Sequence, residues 1–422
     1  MLERLTLEPE EYRDELLALV EPVASAQDIA VRDSAGRVLA ADVVAAGDVP
    51  AFRNSAMDGF AARLADATSG ARLSIVGEVP AGSQADPAVR AGQCVAITTG
   101  APVPSDADAI IPVEQVSREA GHILILAAAE PGRHIRGAGE DFAAGAKVLA
   151  AGTTMTARSI GLAAAAGVGN VSVVRRPRVG IVATGAELRS PGEPLGRGEI
   201  YESNAAFLRA AVEAAGAEPV LAPVAPDDPA ALASILDELG PQVDLVFLSG
   251  GISVGDYDVV RLTLAGIPDA PGPVSPRRGG ESTPAIPGQF RFVRMQPGKP
   301  QGWARWPDGT VLVAFPGNPL STMVSFELFG RPLLDRMLGR RSQGWGRAVA
   351  GQGWTTPPGR RQYLPVVAAT DDDARVVVLP AHQRGSASHM VSSAALATGL
   401  VAVPAEVTSV APGDIVEYRR FQ

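Results

Sequence analysis

The most informative segment of this 422-residue chain is Val243-Asp244-Leu245-Val246-Phe247-Leu248-Ser249-Gly250-Gly251. Its apolar run is typical of a buried strand, and the serine and glycines are typical of the turn at a strand's carboxyl end. A similar run, residues 178–183, ends in Thr184-Gly185. Between them the pattern predicts two helices and a short strand, over residues 203–215, 230–239 and 220–224. Strand, helix, strand, helix, strand predicts a parallel, doubly wound sheet.

Short β runs lie on both sides of this region. Residues 42–140 contain alternating apolar runs such as 72–76 and 94–97, separated by turns rich in Pro, Gly and Ser. After a predicted helix over 320–338, short strands return near the carboxyl terminus. We therefore predict a multidomain α/β plus β protein, in which β-rich modules flank the central doubly wound domain.

Composition excludes several classes of protein. One cysteine, Cys94, and four histidines leave no internal disulfide and no Cys or Cys/His zinc cluster. The net charge of −9 argues against non-specific nucleic-acid binding, and no apolar run is long enough for a membrane span. The amino-terminal residues lack the pattern of a signal peptide. We expect a cytoplasmic protein without nucleic-acid or membrane partners, and Cys94 as a core residue.

The strongest candidate site is the run Ser249-Gly250-Gly251-Ile252-Ser253-Val254-Gly255-Asp256-Tyr257-Asp258. Glycines after a buried strand let main-chain N–H groups approach an anion, and the serines add donors. Asp256 and Asp258 add carboxylates suited to a divalent cation. The alternative is a tight βα connection, in which glycines permit positive φ and the aspartates cap a helix.

Other candidate groups also follow predicted strands. Glu187 lies just after Thr184-Gly185, and Asp227-Asp228 is either part of the site or a helix cap. Residues 315–321 present main-chain donors rigidly or merely begin a helix. In the first β module, Asp58, Thr99 and Asp141 lie in segments that, taken singly, are ordinary turns.

Several familiar motifs are excluded. Gly298-Lys299 is followed by Pro300 and lacks the glycine spacing of a Walker loop, and no intact G-x-G-x-x-G follows a strand. Gly251 to Gly255 spells G-x-S-x-G, but it begins too far beyond the strand for Ser253 to be a hydrolase nucleophile.

These segments, taken together and in order, resemble the molybdopterin molybdenumtransferase family, the MoeA and gephyrin E-domain proteins. The resemblance extends over nearly the whole chain and includes residues 36–40, 54–61, 99–101, 139–141, 184–188, 249–258, 297–300, 316–321 and 383–388. It implies four domains: 1–45 with 141–176 for linking and dimerisation, an inserted β-rich domain over 46–140, the doubly wound molybdopterin-binding domain over 177–330, and a β-barrel-like domain over 345–422.

The resemblance implies a cytoplasmic homodimer that binds adenylylated molybdopterin across the doubly wound domain of one subunit and the first β module of the other. Molybdate is inserted into the pterin dithiolene, and AMP is released with Mg²⁺. The molybdopterin adenylyltransferase and acceptor apoenzymes are possible protein partners. Two alternatives remain: an adenylyltransferase that uses the same doubly wound domain, and a non-catalytic pterin-binding scaffold.

The resemblance also assigns roles to residues. The catalytic set is Asp58, Thr99, Asp141, Glu187, Asp227 and Asp258, of which Glu187, Asp227 and Asp258 hold metal or orient water. The substrate-binding set is Thr184, Gly185, Ser249, Gly250, Gly251, Ser253, Gly255, Asp256, Pro316 and Pro319. The oxyanion set is Lys299, Ser321, Arg360 and Ser386.

Two positions depart from the family pattern. Gln296 stands where the family often has a lysine, and Phe292 stands where a basic residue is usual. Glutamine donates hydrogen bonds but supplies no charge, so we expect weaker affinity for a dianion unless an arginine substitutes. Arg291 and Arg294 are nearby in sequence. The preceding Pro- and Gly-rich segment, residues 270–289, is predicted to be an exposed insertion without an assigned role.

Overall fold

The structure is a computed structural model that describes residues 6–252, 258–264, 287–382 and 390–421. The chain divides into two compact units. The first unit consists of Met1–Ser25 and Val174–Gln422, and the second consists of Ala26–Val173. No helix in the described part of the chain is long and apolar enough to cross a membrane.

A seven-stranded sheet forms the centre of the first unit. In spatial order its strands are Thr6–Leu7, Gly288–Val293, Pro300–Arg305, Val311–Phe315, Leu245–Ser249, Arg178–Ala183 and Glu218–Leu221. The last four are mutually parallel, which confirms the doubly wound sheet. Gly288–Val293 and Val311–Phe315 both pair antiparallel with Pro300–Arg305, because the short connections leave no room for a crossover helix. The sheet is therefore mixed.

The winding of this sheet reverses at one point. Arg178–Ala183 lies between Glu218–Leu221, which follows it in the chain, and Leu245–Ser249. The crevice between the carboxyl ends of Arg178–Ala183 and Leu245–Ser249 is therefore the topological switch point, where ligands of doubly wound sheets bind. Ala183 and Ser249 are paired in register there.

Helices cover both faces of the sheet, so alternate residues of a strand are buried on opposite sides. Phe247 packs in one core with Phe315 and Phe326, while Val246 and Leu248 belong to the core on the other face. Burial on both faces explains the continuous apolar run of this strand. The helices of the first face are Pro9–Leu17, Asn204–Ala214, Pro319–Ser325 and Arg331–Met337, and those of the second are Pro229–Leu239 and Val259–Thr263. A π-helical turn, Phe326–Gly330, joins the last two helices of the first face.

The carboxyl-terminal strands form a closed barrel. The strands Arg361–Thr370, Val376–Pro380, Gly346–Ala350, Ile415–Arg420 and Gly399–Val403 pair in that order, and the last pairs again with the first. Met295–Gln296 adds to Arg361–Thr370 in parallel, so a segment beside the central sheet is hydrogen-bonded to the barrel. Smaller elements of the unit are Leu188–Arg189 with Ile200–Tyr201, Trp354–Thr355 with Ser409–Val410, the 3₁₀ turn Gly240–Gln242 and the helix Val391–Leu396.

The second unit contains a six-stranded sheet. Its strands in spatial order are Ala109–Pro112, Gly59–Ala62, Gln93–Ile97, Arg72–Val79, His122–Ile125 and Val116–Glu119. Further elements are the paired strands Asn54–Ser55 with Ile135–Arg136, Val43–Val44 with Lys147–Leu149 and Ala26–Ala30 with Asn170–Val174, the helix Ala157–Ala165, and the 3₁₀ turns Val31–Asp33, Leu64–Asp66 and Val113–Gln115. Cys94 is buried in the sheet, where burial raises the pKa of its thiol to about 12, as expected for a core residue.

The insertion predicted over residues 270–289 extends too far at its carboxyl end. Residues 288 and 289 are not loop but the first residues of the strand Gly288–Val293, which pairs along its length with Pro300–Arg305. The pairing of Gly288 with Ala304 and of Gln289 with Trp303 outweighs the weak strand propensity of this end. Residues 265–286 lie outside the described residues.

Candidate functional site at the switch point

A cavity of about 660 Å³ opens at the switch point of the central sheet. Its walls come from the strand ends at 183–184 and 249–252, the segment 200–204, the loops 295–300 and 316–321, and Arg360. The substrate-binding residues predicted there that line it are Thr184, Ser249, Gly250, Gly251, Pro316 and Pro319. Ser253, Gly255 and Asp256 lie outside the described residues.

The glycines of the cavity wall are required by close approach of the chain to itself. Gly250 has φ +94°, and a Cβ there would lie 2.8 Å from the Thr184 carbonyl oxygen. Gly251 has φ +66°, and its Cβ would lie 2.9 Å from Thr184 Oγ1. Gly317 faces Gly250, with only 3.3 Å between its added Cβ and the Gly250 Cα. Gly250 and Gly251 therefore approach Thr184 as closely as only glycine main chain allows, and the Gly317 segment packs tightly against Gly250.

Asn204 holds two of these segments together. Its Nδ2 donates to Ser249 Oγ at 2.8 Å and to the Gly317 carbonyl at 2.7 Å. Glu202 Oε1 accepts a hydrogen bond from Ala205 N at 2.7 Å, which satisfies an amide at the start of the same helix. The sequence placed Asn204 only near a helix cap, and its role in the site was not predicted. The signal that could have identified it is its position at the start of the first crossover helix, which begins near the switch point.

The acidic residues near the glycines have separate roles. Asp228 Oδ1 accepts from Ala230 N at 3.0 Å and caps the helix Pro229–Leu239. Asp227 Oδ2 accepts from Ala186 N at 3.1 Å and so holds the turn between Thr184 and Glu187. Of the three predicted metal ligands, Glu187 lines the cavity, whereas Asp227 and Asp258 are not among the described lining residues.

Gly185 has φ +146° and lies under the Glu187 carboxylate, within this turn rather than at the cavity surface. Within residues 6–252, 258–264, 287–382 and 390–421, no group of three His, Cys, Asp or Glu side chains lies close enough to hold a metal ion. The described side chains therefore offer carboxylate oxygens singly, not as a complete protein cage.

Two cations line the part of the cavity wall that comes from the loop 295–300 and Arg360, called here the cation end. Lys299 Nζ lies 4.4 Å from the centre of the Phe292 ring, so Phe292 provides an aromatic face for this ammonium. Arg360 Nη1 donates to Gln296 Oε1 at 3.2 Å. Ser321, on the first turns of Pro319–Ser325, completes this wall. Three predicted oxyanion residues thus line one cavity, and the fourth, Ser386, lies outside the described residues.

Arg360, rather than a neighbour in sequence, supplies the guanidinium beside Gln296. Arg294 is paired with Glu8 at 3.0 Å, and Arg291 donates to Gln289. Arg360, which the resemblance already names in the oxyanion set, precedes the barrel strand Arg361–Thr370. Sequence order could not identify the contact between Arg360 and Gln296, because the two residues are 64 positions apart.

Arg361 anchors the strand next to Arg360. Its Nη1 donates to Glu10 Oε1 at 2.8 Å, its Nη2 contacts Glu417, and its main-chain N donates to the Arg294 carbonyl at 3.0 Å. These bonds fix the residue that follows Arg360 on three sides.

In the second unit the structure brings Asp58 and Thr99 together. Asp58 Oδ1 accepts from Thr99 N at 2.7 Å and from Thr99 Oγ1 at 3.0 Å. The main-chain bond and then the side-chain bond lower the pKa of the exposed Asp58 carboxyl. Asp141 has a different hydrogen-bond partner: its main-chain N donates to the Val49 carbonyl at 2.9 Å.

Family models match almost the entire chain. The MoeA N-terminal region (domain I and II) matches residues 7–167, a probable molybdopterin binding domain matches 180–336, and the MoeA C-terminal region (domain IV) matches 347–421. The cavity described above lies in the part covered by the second and third models, and Asp58, Thr99 and Asp141 lie in the part covered by the first.

Curated relatives and solved structures agree with these matches. A molybdopterin molybdenumtransferase 2 of Mycobacterium tuberculosis is 41% identical over 391 residues, covering 90% of this chain and 91% of the relative. A molybdopterin molybdenumtransferase of a Nostoc species is 36% identical over 337 residues, covering 78% and 73%. The crystal structure of a molybdopterin biosynthesis MoeA protein from Pyrococcus horikoshii OT3 superimposes with a TM-score of 0.79 at 26% identity, covering 99% of this chain and 100% of that one.

The agreement extends over the doubly wound domain, the barrel and the β-rich region alike. This chain therefore belongs to the molybdopterin molybdenumtransferase family, enzymes of molybdenum cofactor biosynthesis.

Proposed function

We propose that this enzyme, whose substrates are molybdopterin-derived pterin and molybdate, takes the pterin in its adenylylated form, inserts molybdate into the dithiolene and releases AMP with Mg²⁺. The observation that supports this reaction is the polarity of the switch-point cavity. One end offers the Gly251 main chain and the Ser249 hydroxyl beside Gly250, whose own N–H donates to the Phe315 carbonyl at 3.2 Å, and the other offers the cations Lys299 and Arg360.

The two ends suit two kinds of anion. A phosphate group is bound well by N–H groups after a strand, because the donors are fixed and need no side-chain ordering. A small tetrahedral dianion such as molybdate needs positive charge to offset its desolvation, which Lys299 and Arg360 supply in a chain of net charge −9. Ser321 adds a neutral hydroxyl donor beside them.

Mg²⁺ suits the carboxylates at the glycine end. This ion keeps several waters and binds through one or two carboxylates plus substrate phosphates, so it does not require a three-ligand protein cage. Glu187 lines the cavity, Asp227 accepts from the amide of the preceding residue, Ala186, and Asp258 precedes the helix Val259–Thr263. We propose that one or two of these three carboxylates hold the ion together with the substrate phosphates, and that the others orient the attacking water. The bound ion would offset the charge of the phosphates during release of AMP.

The remaining site residues stay proposals of the same reaction. Asp58, Thr99 and Asp141 are proposed catalytic residues of the β-rich region, and Gly185, Ser253, Gly255, Asp256 and Ser386 complete the proposed substrate and oxyanion sets. The proposed domains are 1–45 with 141–176, 46–140, 177–330 and 345–422. The proposed active form is a cytoplasmic homodimer; light scattering that gives the mass of a monomer at micromolar concentration would overturn the dimer.

The test is incubation of the purified protein with adenylylated molybdopterin, Mg²⁺ and molybdate, with AMP release and reconstitution of a molybdenum-free apoenzyme as readouts. We expect AMP release that depends on both molybdate and Mg²⁺ and yields active cofactor. Tight pterin binding without turnover would favour a scaffold instead. Formation of adenylylated pterin from ATP and molybdopterin would favour an adenylyltransferase.

A further inference from the structure

We infer that Gln301 is a positioning residue for the cation end of the cavity, because it locks the loop that carries Lys299 to the helix that carries Ser321. The inference rests on the proposed function for the identity of the anion. Gln301 itself does not line the cavity described above, so its effect would be transmitted through Lys299 and Ser321.

Gln301 is buried and uses both of its amide donors. The side chain is 1% exposed. Its Nε2 donates to the Gly298 carbonyl at 2.8 Å and to Ser325 Oγ at 2.7 Å. Its carbonyl Oε1 accepts no hydrogen bond from the described residues, so the donors alone hold the side chain in this position. A carboxamide has two N–H donors, and a glutamate, methionine or leucine of similar size has none to replace them.

The first of these bonds fixes the loop. Gly298 has φ +101°, and an added Cβ would lie 2.9 Å from Met295 Cε and 3.2 Å from Ser325 Oγ, so the loop is pressed onto the residues beneath it. Lys299 is held on the other side, because its carbonyl accepts from Val293 N at 2.8 Å. The main chain on either side of the Lys299 ammonium stem is thereby fixed.

The second bond fixes the helix relative to the loop. Ser325 lies four residues after Ser321 in Pro319–Ser325, so the two side chains share a helix face. Ser325 is fully buried, whereas Ser321 reaches the cavity wall. A side chain that bonds both Gly298 and Ser325 therefore sets the spacing between Lys299 and Ser321, the two groups proposed to contact one small anion. Binding of a small dianion depends on that spacing, because misplaced donors lose much of their interaction.

The test replaces Gln301 by methionine, which keeps the volume and removes both donors. We expect the molybdate concentration for half-maximal AMP release to rise about tenfold, with little change in the half-saturating pterin concentration or in the rate at saturating molybdate. Ser325→Ala removes one bond only and should raise the molybdate requirement about threefold. If Gln301→Met does not fold, Ser325→Ala alone tests whether this hydrogen-bond connection affects the molybdate requirement.

Trp306→Phe is the matched control for lost stability. Trp306 is 6% exposed and donates to Asp237 Oδ1 at 2.8 Å, in the turn that precedes the strand Val311–Phe315, at the end of the parallel strands opposite the cavity. We expect it to lower the melting temperature and leave the molybdate requirement unchanged. If Gln301→Met does the same, Gln301 is merely structural and the inference is wrong. An equal rise in both substrate requirements would overturn it as well.

A second variant tests whether Gln301 acts through Lys299. In a Lys299→Met background, Gln301→Met should change the molybdate requirement by less than about twofold, because the group that it positions is already gone. A full tenfold effect in that background would contradict the inference. Equilibrium dialysis with molybdate alone separates this outcome from failure of the proposed reaction, since weaker molybdate binding by Gln301→Met is expected even if the wild-type protein releases no AMP.

Discussion

The two ends of the switch-point cavity are built on different principles. At the glycine end, the wall is main chain, packed so closely that a Cβ added at Gly250 or Gly317 would lie 2.8 Å from the Thr184 carbonyl oxygen or 3.3 Å from the Gly250 Cα. At the cation end, the wall is made of side chains from separate segments, namely Lys299, Ser321 and Arg360. One end recognises by fixed geometry and the other by charge.

This difference predicts which substitutions and solution conditions each end tolerates. A wall of close-packed main chain cannot accept a single added carbon, but its contacts respond little to salt because main-chain N–H groups are dipoles without net charge. A wall of charged side chains adapts to changes of shape and responds to ionic strength. The two ends should therefore fail in different ways when changed, and for different substrates.

The largest expected effect is at the glycine end. Gly250→Ala places a Cβ 2.8 Å from the Thr184 carbonyl in a backbone with φ +94°. We expect a loss of about 3 kcal/mol in the free energy of unfolding from overpacking and positive φ. Activity should fall about a hundredfold, because the main-chain groups that face the phosphate shift out of position. Denaturant unfolding and AMP release measure the two quantities.

Gly309→Ala is the control for this variant. Gly309 has φ +96°, almost the same backbone, but an added Cβ meets nothing within 4 Å. It should cost only the positive-φ penalty of about 1 kcal/mol and leave activity intact. If both variants behaved alike, close approach would not be what requires glycine at position 250.

The next largest effect is at the cation end. Arg360→Met removes a guanidinium while keeping an apolar stem, and we expect the molybdate requirement to rise about thirtyfold, as for loss of a charge-assisted hydrogen bond. The wild-type requirement should increase with ionic strength, and that of the variant should increase less. The pterin requirement should stay within about twofold of wild type if the two ends bind separate anions.

Arg347→Met is the matched control, because Arg347 is an exposed arginine in the barrel strand Gly346–Ala350. It should leave both substrate requirements unchanged. A rise in the pterin requirement of Arg360→Met as large as that for molybdate would contradict the separation of the two ends.

The glycine end and the core of the fold follow from the sequence because their determinants are contiguous. The run that ends in Ser249-Gly250-Gly251 contains both the strand and its turn, so local composition predicts burial, parallel pairing and the position of the crevice. Asp228 also behaves as an Asp-Pro helix start predicts. In each case the residues that matter are neighbours in the chain.

The cation end could not be predicted in the same way because it is assembled by tertiary contacts. The family resemblance named Lys299, Ser321 and Arg360, but not that Arg360 pairs with Gln296 across 64 residues or that Lys299 stacks on Phe292. Residues 288 and 289 of the strand Gly288–Val293 were assigned to the insertion for the same reason, since their antiparallel partner, and not their own Pro- and Gly-rich flank, makes them part of a strand.

Asn204 provides a smaller test of the glycine end. Asn204→Leu removes the bonds to Ser249 Oγ and the Gly317 carbonyl, and we expect the pterin requirement to rise about tenfold while the molybdate requirement is unchanged. This pattern is the reverse of that expected for Gln301→Met. Gln242→Leu is the control, because that amide donates to the Glu238 carbonyl at 2.8 Å in an exposed turn. A change in the molybdate requirement of Asn204→Leu would mean that the two ends are mechanically coupled.

The smallest expected effect is a change in the pKa of Asp58. Its contact with Thr99 joins residues that are 41 positions apart, so it is a tertiary contact like those at the cation end, but it lies on an exposed surface. Because the folded pKa of Asp58 is lowered, its interaction with Thr99 is fully present above the unfolded pKa and is lost as pH falls through the folded value. Thr99→Val removes only the hydroxyl donor. We expect the pKa of Asp58 to rise but stay below its ordinary value, because the main-chain bond remains.

Carboxyl-carbon NMR titration measures this shift, and Asp86 is the internal control. Asp86 likewise accepts from one residue, with Oδ1 bonded to Ser105 N and Oδ2 to Ser105 Oγ, and these bonds also lower its pKa. Thr99→Val should leave the titration of Asp86 unchanged, and Ser105→Ala should raise the pKa of Asp86 alone. An unaltered titration of Asp58 in Thr99→Val would mean that the hydroxyl bond contributes nothing to the lowered pKa in solution. The contact between these distant segments would then depend on the main-chain N–H alone, as the glycine end depends on main chain.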